Sequence, residues 1–165
     1  MKKKTLMLMA CLACLGSTQA QEKLYPNAFP LEDVTLLDGP FKHAQDLNVE
    51  VLLQYDVDRL LAPFLKEAGL PKKAEVFPNW AGLDGHVGGH YLSALAIHYA
   101  STGDEECKRR MDYMLSELKR CQEKNGDGYI GGIPNGASLW NEIKKGNVEA
   151  IWKWWAPWYN LHKMY

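Results

Sequence analysis

The sequence predicts an all-α fold assembled from helical hairpins. Three observations carry that prediction. Apolar residues recur at three- and four-residue spacing over 41–61, 86–102 and 104–125; a tight turn around Gly103 separates the last two stretches; and a glycine-rich loop, Asn125 to Gly136, follows them. Such spacing lines up apolar side chains on one face of a helix, whereas a half-buried strand would alternate.

The chain opens with Met1-Lys-Lys-Lys, an apolar run from Leu6 to Leu15, and Thr18-Gln19-Ala20. These are the three parts of a secretory signal, so residues 1–20 are expected to be removed after Ala20 and the remainder, 21–165, to be periplasmic or secreted. An outer-membrane lipoprotein is the secondary reading: Cys11 lies too early in the apolar run, and Cys14 has Cys11 where a leucine is wanted. No other segment is apolar for long enough to span a bilayer. Loss of Lys2, Lys3 and Lys4 removes three of the 19 basic residues against 20 acids. The mature chain is then mildly acidic with scattered positive charge, which offers no footprint for nucleic acid or anionic lipid.

A short extended lead follows, with Pro26, Pro30 and the alternating Val34-Thr35-Leu36. Asp38-Gly39-Pro40 reads as a helix start, an N-cap acid with proline in the first turn. Phe41, Ala44, Asn48, Val51, Leu52 and Tyr55 continue the helix to about Leu61, where Pro63 disfavours the α conformation at Ala62. Residues 67–78 are expected to form a loop that delivers Trp80.

Trp80-Ala-Gly-Leu-Asp-Gly-His-Val-Gly-Gly-His-Tyr-Leu opens the central helix. Glycine and histidine are a poor choice for a plain core helix, and four glycines imply close approach of something to the backbone. The helix continues through Leu92, Leu95, Ala96 and Tyr99 to a stop at Thr102-Gly103. His86 and His90 are four residues apart and share a face near the N-terminal end, where free N–H groups and the positive dipole favour an oxygen-rich ligand. Three readings stand: a zinc pair, which lacks a third ligand and is set aside; two structural histidines bonded to neighbouring loops; and a face for sugar or another polar ligand. Asp84 is read first as the N-cap of this helix and second as a carboxylate for a ligand hydroxyl.

Asp104-Glu105-Glu106 starts the next helix and Lys119, Arg120 and Lys124 lie near its end, the charge order the macrodipole favours. Cys107, Met111, Met114, Leu118 and Cys121 form one core stripe, widened by Leu115. Asn125-Gly126 ends it. The two cysteines are 14 positions apart, about 21 Å along a helix at about 1.5 Å per residue, so they are expected to stay free. Together the two helices form an antiparallel hairpin. The following glycine-rich loop lacks the GK[ST] end of a phosphate loop. A short helix over 138–145 is interrupted by Gly146-Asn147. Trp140, Trp152, Trp154, Trp155, Trp158 and Tyr159 then crowd the chain, some as core and some, such as Trp158 or Tyr159, available to stack on a sugar ring. His162 is expected to open another helix. An ending at Tyr165 just there suggests the front part of something longer.

Four motifs in order, Leu36-Leu-Asp-Gly-Pro-Phe41, Gly82-Leu-Asp-Gly-His-Val-Gly-Gly-His-Tyr-Leu-Ser-Ala94, Gly128-Tyr-Ile-Gly-Gly132 with Pro134-Asn-Gly136, and Pro157-Trp-Tyr-Asn-Leu-His-Lys163, resemble the N-terminal part of the β-L-arabinofuranosidases, glycoside hydrolase families 127 and 146. The resemblance covers about residues 31–165. It implies an incomplete (α/α)6 toroid, which repeated hairpins with glycine-rich loops at one end also suit. It further implies an exported enzyme that removes terminal β-L-arabinofuranose from plant arabinose-containing glycans with retention. In that family a zinc-held cysteine is the nucleophile and a glutamate the acid/base. Neither Cys107 nor Cys121 sits in a matching motif, so no catalytic residue, metal ligand or cofactor is assigned to this stretch, and zinc is expected only in the full-length domain. By the same resemblance His162 is the leading sugar contact, followed by His90, His86 and Asp84, and Trp158 joins them through its aromatic face. Two alternatives stand beside this reading: a non-catalytic carbohydrate-binding or scaffold protein, and an epimerase or lyase using His162 and His90 as acid and base.

Overall fold

Asp56 decides where the first long helical stretch breaks. Its carboxylate accepts hydrogen bonds from the backbone N–H groups of Asp58 (2.9 Å) and Arg59 (3.3 Å), which makes it an N-cap in the middle of what the apolar spacing reads as one helix. The computed structural model, which describes residues 29–78 and 83–164, therefore has two helices there: α1 (Pro40–Gln54) and α2 (Val57–Glu67). Expectations for the leader, including Cys11 and Cys14, and for Trp80 fall outside the described residues. Leu31–Tyr165 forms one compact unit.

Two expectations about this region are corrected. The helix does not stop before Pro63; that proline lies inside α2 and is buried. An interior proline costs about 3 kcal/mol, but α2 buries Leu60, Leu61, Phe64 and Leu65 almost completely, each worth about 1.5–3 kcal/mol. Burial prevails over the local preference. Likewise Asp38 is not the cap of α1: Gly39 holds that position, with Pro40 as the first helical residue. The lead before it is a single 3-10 turn, Leu31–Asp33, followed by irregular backbone, and no strand occurs among the described residues.

Helix α3 (His86–Thr102) and α4 (Glu105–Asn125) form the predicted antiparallel hairpin. Gly103 adopts the left-handed conformation (φ 73°) and donates to Tyr99 O at 2.7 Å. Asp104 caps α4 as read from the sequence, and Gly126 ends it. Cys107, Met114, Leu118 and Cys121 face the core against α2 and Tyr91 and Leu95 of α3. Leu115 does not widen that stripe and is exposed; Glu117 is buried in its place, held by Arg120 (2.6 Å) and Lys73 (3.1 Å). Both cysteines are free and buried, as expected.

The glycine-rich loop leads into α5 (Gly136–Lys144), a 3-10 segment (Val148–Lys153) and the one-turn helix α6 (Pro157–Leu161). Ile133, Leu139, Trp140, Ala150 and Leu161 make a second, smaller core. The two cores are tied together by Glu67, whose carboxylate accepts from the N–H groups of Asn135 (2.9 Å) and Ala137 (3.3 Å) and so serves the α5 N-terminus from the end of α2. His162 closes α6 at its C-cap and does not open a new helix.

Candidate functional site

The glycines at the head of α3 are explained by neighbouring protein. A side chain at Gly88 would meet the Phe64 ring at 3.1 Å, and one at Gly89 would meet the backbone oxygen of Lys163 at 2.6 Å. Gly89 thus lets the turn after α6 lie directly on α3. That contact brings His162, remote in sequence, beside the two histidines of α3.

Three imidazoles and one phenol gather there. His86 and His90 stand edge to face with ring centroids 4.5 Å apart, His86 and His162 are 5.4 Å apart, and His90 and His162 are 5.8 Å apart. Tyr159 lies 4.4 Å from His86 and 5.0 Å from His162. His162 Nδ1 contacts the Tyr159 carbonyl, which fixes the ring. His86 is buried, while His90, His162, Tyr159 and Trp158 are exposed. The cluster therefore has a sealed floor and an open rim.

Burial lowers the His86 pKa, and the neighbouring His90, His162 and Lys163 lower it further. His90 is lowered in turn by burial, Lys163 and His162. Desolvation and like-charge repulsion both disfavour the cation, so these two rings are neutral near pH 7. A neutral imidazole offers one donor and one acceptor, a match for a sugar hydroxyl. His86 Nδ1 is buried without a hydrogen-bond partner, which is costly for a polar atom unless something else completes it.

The other two residues proposed from the sequence have surroundings of their own. Asp84 is not the N-cap of α3, because Gly85 takes that position with φ 88°. Asp84 instead borders a mainly apolar hollow of about 320 Å³ with Tyr55, Arg59, Pro63 and Phe77. Trp158 stacks on Trp140, with centroids 4.7 Å apart. Glu142 is held low by hydrogen bonds from Lys145 (2.9 Å) and Asn147 (3.2 Å) on the surface.

Residues 33–165 match the sequence model for the β-L-arabinofuranosidase, glycoside hydrolase family 127 catalytic domain. The chain belongs to this family. No curated relative matches it. Membership makes this β-L-arabinofuranosidase-family chain part of a glycoside hydrolase lineage with carbohydrate as substrate, and among the described residues no helix is long and apolar enough to cross a membrane.

Neither Cys107 nor Cys121 matches the zinc-held cysteine that the resemblance implies, and the two cannot share one ion. Fourteen positions along one helix separate them by about 21 Å, and both thiols are buried, with Cys107 pushed up to about 11, first by burial and then by the Asp104 carboxylate. The sequence paired His86 with His90 and named His162 and Tyr159 apart from them, but one participant carried no signal. Lys163 matters through its backbone on Gly89 and its charge near His86 and His90, which no spacing rule reports.

Proposed function

We propose that this chain forms part of the sugar pocket of an exported, retaining glycosidase of β-L-arabinofuranosidase type acting on arabinose-containing plant glycans. The single observation that carries this reading is the convergence of His86, His90 and His162, one buried and two exposed, on an open rim with Tyr159. In this reading His162 and His90 bond the hydroxyls of a terminal arabinofuranose, His86 backs them, and Trp158 and Asp84 act further along the glycan. The α3–α4 hairpin and its neighbours then belong to the inner and outer layers of an (α/α)6 toroid. Export rests on the tripartite sequence pattern of residues 1–20.

The nucleophile, its zinc and the acid/base glutamate are assigned outside this stretch. Support comes from the two thiols, both buried and neither in a motif that matches the family's nucleophile. The described residues accordingly bind and orient the sugar without breaking its bond. Purified chain should show arabinose-dependent chemical-shift or fluorescence changes that His162→Ala weakens, and no turnover of aryl β-L-arabinofuranosides above background. Turnover that survives repurification and disappears in His162→Ala would overturn the division of labour, and unaltered sugar binding in that variant would overturn the pocket.

A further inference from the structure

At the opposite end of α3 from the histidine cluster, a second group of donors meets at the turn into α4. We propose that His98, Asp104 and Cys107 form a binding site for a zinc-class divalent cation. This ligand set is separate from the zinc-held cysteine nucleophile that the resemblance implies and independent of the sugar reading.

The geometry is the first support. A ring nitrogen of His98, an Asp104 carboxylate oxygen and Cys107 Sγ all lie within 4.8 Å of one another. A tetrahedral ion with bonds of about 2.0–2.3 Å holds its donors about 3.5 Å apart, so a small contraction of three side chains closes the site. Imidazole, carboxylate and thiolate together suit zinc or cobalt(II); calcium and magnesium take oxygen.

Preorganisation is the second support. Asp104 uses Oδ1 to accept the N–H groups of Glu106 and Cys107, each at 2.9 Å. That double cap fixes the carboxylate and leaves Oδ2 turned toward His98, at 4.0 Å from Nε2. The separation is beyond hydrogen-bond reach, although His98 is only 7% exposed. A buried imidazole nitrogen aimed at a carboxylate without bonding it leaves room for an ion between them. Cys107 is fully buried and its S–H faces the same carboxylate. Binding exchanges the S–H bond for a metal–sulfur bond and releases the proton to solvent. A cavity of about 440 Å³ bordered by Lys42, Asp46, His98, Thr102 and Asp104 gives entry and room for water as the fourth ligand. Lys42 is paired with Asp46 at 2.5 Å, so its charge does not stand alone against a cation.

Cobalt(II) titration of the purified full-length protein tests the site. The expected result is a thiolate-to-cobalt charge-transfer band with tetrahedral visible bands, displaced by zinc. Cys107→Ser should remove the charge-transfer band, and His98→Gln should weaken binding by about tenfold or more, whereas Cys121→Ser should keep both. Zinc should also raise the melting temperature of the unaltered protein and of Cys121→Ser, but not of Cys107→Ser. Should Cys107→Ser fail to fold, His98→Gln alone decides. A missing band, a band that survives Cys107→Ser, or affinity unchanged in His98→Gln would reduce the cluster to a helix cap and overturn the proposal. None of these variants touches His162, so failure here leaves sugar binding unaffected.

Discussion

His86 shows how one residue can couple burial, titration and recognition. Its ring is packed between His90, Tyr159 and His162, and its Nδ1 makes no hydrogen bond. Because burial lowers its pKa below the ordinary 6.5, the unfolded chain binds a proton more readily than the folded one. The stability that the neutral ring contributes is therefore fully present above about pH 6.5 and declines as pH falls toward the lowered folded value. Denaturant midpoints measured from pH 8 to about pH 5 should drop on the acid side, and His86→Gln should flatten that slope; an identical slope in the variant would remove His86 as the cause. At the rim, His162→Ala should weaken sugar binding by about tenfold, the equivalent of about one hydrogen bond near 1.4 kcal/mol, read by titration with arabinose or an arabinoside. The i, i+4 relation of His86 and His90 was legible in the sequence. Their approach to His162 was not, because it depends on how α6 docks.

Helices report a contest between local preference and burial. Over 41–61 the apolar spacing continues without a break, yet the Asp56 cap divides it and Pro63 is carried inside α2. Asp56→Ala should cost about 1 kcal/mol in urea unfolding, since it strips the acceptor from two N–H groups. An unchanged midpoint would mean that α2 is held by its core face alone. Gly89 tests the docking of α6 on α3. A methyl group there would lie 2.6 Å from Lys163 O and 2.7 Å from Lys163 Cβ, and backbone at that distance cannot yield as a flexible side chain would. Gly89→Ala should therefore cost about 1–3 kcal/mol and loosen His162, visible as loss of sugar binding beyond the loss of stability. The glycines in the motif were readable as marks of close approach. That the approaching group is the chain's own backbone emerges only when residues 89 and 163 are seen together.

Across the whole molecule, burial is uneven. One core unites α2, α3 and α4, a smaller one gathers α5 and the 3-10 segment, and α1 has no fully buried residue. Leu37, Phe41, Trp152 and Trp155 stand open to solvent, with exposures of 82%, 77%, 86% and 65%. Apolar surface of that kind promotes association, so the purified chain should bind a hydrophobic dye at neutral pH and self-associate as concentration rises. A monomer that melts sharply and leaves the dye dark would contradict this. The sequence by itself determined the all-helical class, the α3–α4 hairpin with its Asp104 cap and Gly103 turn, the free thiols and the family. Those features are written in local terms, by spacing, capping residues and ordered motifs. Tertiary structure alone decided that Pro63 could remain in a helix, that Trp158 packs on Trp140, and that His98, Asp104 and Cys107 converge. Each of these turns on which surfaces meet, and the free energy of such contacts belongs to pairs of residues far apart in the chain.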